Sequence, residues 1–178
     1  MNGSSRQHRI ALTGLFAALA FVLGRLPHPV NVECVTFVVF VSGYVGGTLV
    51  GSASGAILTI LQLVFGGGGE LILASAQLVG WMTTGAAGSF FSSKVPRPGV
   101  LGLVGLALTA FYEVLTNLAL MPSIGLTLSQ LVAGGAGFAF VHLLNNVFVF
   151  EAGRFLLLVL DRDPAFVLMR RSTAVTGH

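Results

Sequence analysis

The chain has 178 residues, of which 8% are charged and 54% hydrophobic, and its formal net charge is +3. A soluble domain carries about 25% charged residues, so a water-exposed globule is excluded and the chain reads as an all-α integral membrane protein of one domain, 1–178. Its single cysteine, Cys34, excludes an intramolecular disulfide and a thiolate metal cluster; no metal or cofactor is expected.

A membrane-crossing helix needs about 20 mostly apolar residues. Breaks at glycine, proline and charge clusters divide the chain into six such spans. The first, about 10–26, stops at Pro27 and Pro29. Its basic start followed by an apolar run also has the form of a signal peptide, but RLPHPVNVE follows instead of a small-x-small cleavage site, so it reads as a retained helix. The second and third, about 34–50 and 51–65, have neither charge nor proline between them. One helix over 35–65 would be about 46 Å long, against a hydrocarbon core of about 30 Å. A tight turn is therefore expected between Gly46 and Ser54. Gly43, Gly47, Gly51 and Gly55 recur at four-residue spacing there, a face for close helix packing or for a sliding partner.

The run GGGGE at 66–70 leads to the fourth span, about 71–93. It suits a hinge or a linker; it follows no strand, so a phosphate-cradling loop is not supported. KVPRPG separates the fourth span from the fifth, about 100–120, which ends at MPSIG. The sixth runs from about 127 to 153. Glu151 and Arg154, three residues apart, can pair on one helix face. FLLLVL at 155–160 is too short for a seventh span and reads as a helix end bending into the inner interface, with 161–178 as a cytoplasmic tail.

Basic residues then orient the spans. Arg6, Arg9, Lys94, Arg97, Arg154, Arg162, Arg170 and Arg171 fall on one side, and only Arg25 on the other. Basic loops stay in the cytoplasm, so both termini are expected inside a multi-pass cell-membrane protein. The loops at 27–33, 66–70 and 121–126 then face outward.

Polar side chains in hydrocarbon are costly and normally face a cavity or a partner. His142, Asn145 and Asn146 lie at i, i+3 and i+4 in the sixth span and share one face. The fifth span carries Tyr112, Glu113 and Asn117, the last two a turn apart. The fourth carries Gln77, Trp81 and Thr84, and the third has Gln62 near its outer end. In the first outer loop, PHPVNVE, Asn31 and Glu33 can close over a pocket or simply form a turn. The amides can equally brace neighbouring helices, each such bond being worth about 0.6 kcal/mol. Glu113 is the least suited to idleness, and its plainest alternative is a pair with His142. Trp81, one turn from Gln77, suits a stacking wall for a flat ligand or plain core.

Absences narrow the chemistry. There is no His-x-x-x-Glu metalloprotease set, no Gly-x-Ser-x-Gly elbow, no Walker motif and no relay of several acids. A catalytic site is hard to build from this inventory, so no enzymatic activity is expected. A pocket that captures a small polar or amphipathic molecule is easy to build.

Three stretches together resemble the substrate-binding S components of energy-coupling-factor (ECF) vitamin transporters. They are RIALTGLFAALAFVLG, PVNVECVTFVVFVSGYVGGTLVGSASGAI and GFAFVHLLNNVFVFEAGRFLLLVL, about half the chain. The resemblance implies a vitamin-capturing membrane subunit without ATPase activity, working with a membrane coupling protein and two cytoplasmic ATPases, and no nucleic acid partner. It implies docking through the small-residue face of the first span, at Ala11, Gly14 and Ala18; the family's Ala-x-x-x-Ala is absent, with Gly14 and Ala18 its nearest match. In this light Asn31, Glu33, Gln62, Gln77, Trp81, Tyr112, Glu113, Asn117, His142, Asn145 and Asn146 line or brace the substrate pocket. The small side chains leave room for a ligand as large as cobalamin. Two other classes compete: a proton-coupled secondary transporter using Glu113 and His142, and a membrane enzyme.

Overall fold

The computed structural model describes residues 3–26, 33–66, 70–164 and 166–167. These form helices α1 (Gly3–Leu23), α2 (Val35–Phe65), α3 (Leu71–Phe90), α4 (Val100–Ile124) and α5 (Leu128–Arg162), with no strand among the described residues. Three of them, α2, α4 and α5, are long and apolar enough to cross a membrane. Bulky apolar side chains cover the outside: Leu71 is 77% exposed, Phe90 81% and Phe155 73%. A water-facing surface rarely gathers such groups, whereas a lipid-facing surface requires them. The described fold has the character of a membrane protein.

The long α2 is not one rod. At Gly47 the backbone leaves helical geometry, with φ 81 and ψ 178, a region that favours glycine because it lacks a Cβ. The chain folds back there. Val35, at one end of α2, packs beside Gly24, and Phe65, at the other, meets Phe21 with ring centroids 6.0 Å apart. Both ends of α2 thus return to the same end of α1. Val39 and Leu58, one from each arm, share a buried cluster with Ala20 and Trp81.

The other glycines of that stretch serve packing. A Cβ on Gly43 or Gly51 would overlap the Gly85 carbonyl of α3, and one on Gly55 would overlap the carbonyl of Trp81. Small residues let the α2 and α3 backbones touch. The main core lies beside this crossing, where Phe40, Tyr44, Leu101, Phe150 and Leu157 are fully buried. The Phe150 ring sits 5.2 Å from both Phe37 and Phe40.

Glu151 and Arg154 do not pair with each other. The backbone N–H of Gly102 donates to Glu151 Oε1 at 2.7 Å, and Arg154 Nε donates to the Pro96 carbonyl at 2.8 Å. The cause lies in α4, which begins after Gly99 with no side-chain cap. Its first N–H groups need acceptors and its positive end attracts an anion, so the carboxylate turns toward α4. Meanwhile α5 continues unbroken to Arg162, starting from a capping box made by Thr127 and Gln130.

Candidate functional site

Glu33 organises the site from the connection ahead of α2. Its carboxylate accepts from the backbone N–H groups of Val35 and Thr36 and from the Thr36 hydroxyl, the last at 2.7 Å. It thereby caps the first turn of α2, where Cys34 offers no side-chain cap. The same side chain reaches across to α5. His142 Nε2 lies 3.1 Å from Glu33 Oε1, Asn146 Nδ2 donates to that oxygen at 3.3 Å, and Asn145 Nδ2 donates to the Glu33 carbonyl at 2.9 Å. Burial pushes the Glu33 carboxyl up, and the hydrogen bonds from His142 and Thr36 outweigh it, leaving the group below its ordinary range.

The other face of the imidazole meets α4. His142 Nδ1 lies 2.5 Å from Glu113 Oε1, and Asn117 Nδ2 donates to Glu113 Oε2 at 2.9 Å. Carboxylates thus face both ring nitrogens of His142. A neutral imidazole carries one N–H, so both contacts are N–H donations only when the ring holds two protons.

An open cavity of about 280 Å3 lies beside this trio, lined by Glu33, Gln77, Tyr112, Glu113, Asn117 and His142. Tyr112 and Gln77 share the cavity wall, and Tyr112 packs against Trp81, with ring centroids 4.5 Å apart. Helical spacing explains the convergence: Tyr112, Glu113 and Thr116 lie along one side of α4, and Phe138 and His142 are one turn apart on α5.

The remaining candidates brace the site from behind. Trp81 is buried and donates through Nε1 to Gln62 Oε1 at 3.3 Å, fixing α3 against the second arm of α2. Asn145 and Asn146 hold Glu33 to α5 and do not line the cavity. Asn31 lies outside the described residues. Sequence reasoning passed over Leu73, Thr116, Leu120 and Phe138, which also line the cavity. Thr116 shares a face with Tyr112 and Glu113 and was within reach of the helical-spacing argument; the three apolar residues carried no signal that set them apart.

Ala11, Gly14 and Ala18 all sit on the exposed side of α1, and a Cβ on Gly14 would meet nothing within 4 Å. Leu12, Ala17 and Ala20 face the core instead. Among the described residues, no group of histidine, cysteine and acidic side chains is arranged to hold a metal ion. Compared with protein-family models, curated proteins and solved structures, the chain gives no match.

Proposed function

We propose that the chain is the membrane-embedded substrate-capture subunit of an ECF-type importer for a vitamin or related micronutrient. It crosses the cell membrane six times, with α2 supplying two spans through the turn at Gly47 and both termini in the cytoplasm. It works with a membrane coupling protein and two cytoplasmic ATPases, and performs no catalysis itself. The observation that carries this reading is the polar cavity of about 280 Å3 on which side chains from α3, α4, α5 and the Glu33 connection converge. A buried polar cluster is costly in an apolar fold, and lining a ligand cavity gives it a use. That volume lies at the small end of ligand pockets, which run from about 300 to 1,000 Å3. It suits a ligand of one or two rings rather than cobalamin. The exposed small-residue face of α1 supports docking to a coupling protein.

The test is co-purification of the tagged chain with a coupling protein and ATPases, together with binding of a vitamin panel (biotin, thiamine, riboflavin, folate and cobalamin) without ATP. Absence of both results removes the proposal. The 2.5 Å contact between His142 and Glu113 favours one alternative, a proton-coupled secondary transporter. That reading requires uptake driven by a pH gradient in proteoliposomes holding this chain alone.

A further inference from the structure

Two depressions meet at the same pair of side chains. Glu113 and Asn117 line the polar cavity, and they also line an open groove of about 290 Å3 between α4 and α5. At about 100° of rotation per residue, the two sit between neighbouring faces of α4. Tyr112 and Thr116 face the cavity, while Ala110 and Val114 face the groove. All the other groove residues are aliphatic or glycine, with Gly135, Ala136 and Ala139 the small residues of an α5 wall that also holds leucines and a valine. A lipid acyl chain would fill the groove yet offer nothing to the carboxylate and amide on its floor. A wholly polar ligand would satisfy those groups and leave the groove unused.

Building on the capture role proposed above, we infer that the site takes one amphipathic molecule, its positively charged, hydrogen-bond-donating head at Glu113 and a short aliphatic tail along the α4–α5 groove. The lining sets the sign of the head. Among the described residues, two carboxylates and one imidazole line the cavity, with no lysine or arginine, so acidic groups outnumber basic ones. Asn117 spends its Nδ2 on Glu113 and presents a carbonyl oxygen to a ligand. Both groups are acceptors, which an ammonium head complements.

Trp81 is the only tryptophan of the chain and packs on Tyr112 at the cavity wall, so its fluorescence reports occupancy. The full chain in lipid nanodiscs is titrated with propylamine, butylamine, pentylamine and hexylamine, and with the alcohol and carboxylate of each length. Amines bind, alcohols bind more weakly and carboxylates do not. Each added methylene tightens binding about fourfold in free aqueous concentration until the groove is filled. Gly135→Leu, whose new side chain enters open space, flattens that chain-length dependence, and Glu113→Gln removes the preference for amine over alcohol. Equal affinity for propylamine and hexylamine overturns the inference, as does hexanoate binding like hexylamine or a chain-length dependence untouched by Gly135→Leu. Should a vitamin of the panel bind while no amine does, the amphipathic assignment fails and the capture role stands. Should nothing bind, the amphipathic assignment fails, and the capture role fails with it when no coupling protein co-purifies.

Discussion

His142 and Glu113, on α5 and α4, approach to 2.5 Å, while the second ring nitrogen of His142 lies 3.1 Å from Glu33. One side chain thus ties together the entry to α2 and two further helices. His142→Ala leaves two mostly buried carboxylates facing each other without a counter-ion. Breaking a buried pair from one side costs about 3–5 kcal/mol, so a loss of that size is expected in thermal unfolding of the detergent-solubilised chain. A loss under about 1 kcal/mol, the range of an exposed pair, would mean that the trio contributes little stability.

Gly85 of α3 lies against the Gly51 backbone so closely that a Cβ would overlap the Gly51 carbonyl. Gly85→Ala forces the helices apart, and overpacking of this kind costs about 1–3 kcal/mol or more. Gly134→Ala on α5 is the matched control: nothing lies within 4 Å of the added methyl. Helix propensity there favours alanine by about 1 kcal/mol. Opposite signs are expected in the same unfolding assay.

A methyl group added at Gly47 would meet no neighbour within 4 Å, yet the φ there is 81. Gly47→Ala therefore tests backbone conformation alone. With ψ at 178 the residue lies in a region that is essentially glycine-only, where an alanine costs about 1–3 kcal/mol, and Gly47→Asn is expected to cost as much, since the tolerance of asparagine for positive φ is mostly confined to the left-handed helical region. Equal stability of all three proteins would place the turn elsewhere.

Glu151 supplies the anion at the start of α4 through Gly102. Glu151→Gln keeps an acceptor but loses the charge, a change of about 0.3–1 kcal/mol from the helix dipole. Glu151→Ala loses the acceptor as well and is expected to be the worse of the two. Identical unfolding temperatures for the two variants would remove the capping role.

Gly14→Leu and Ala18→Leu enlarge the exposed side of α1 without entering the core. On the proposed capture role, assembly with a coupling protein and vitamin uptake are both expected to be lost, with the fold intact by circular dichroism. Normal uptake in either variant would assign the docking surface elsewhere.

Much of this arrangement was legible in the sequence because it follows from local chemistry. KVPRPG falls between α3 and α4, and Gly125 of MPSIG ends α4 in a left-handed turn, although α4 runs past the expected stop near 120 with Pro122 inside its last turn. Helical spacing put His142 with Asn146 and Glu113 with Asn117, because positions three and four apart share a face. Which helix a face meets is a different question, and spacing does not answer it. Glu33 read as part of an outer loop, yet it turns inward to a histidine 109 residues away. Glu151 and Arg154 had the spacing of a pair, but the uncapped start of α4 competes for the carboxylate. The length of 35–65 against the hydrocarbon core located the α2 turn only to a window, and of the four evenly spaced glycines that read as a packing face, Gly47 instead makes the turn.

The α4–α5 pair is joined at one end by the Gly125 turn, with φ 64, and tied at the other by Glu151 and Arg154. Helices fastened at both ends do not gape. The hollow between them is bordered by the small residues Ala110, Gly135, Ala136 and Ala139, so the guest proposed above would enter it without the two helices parting.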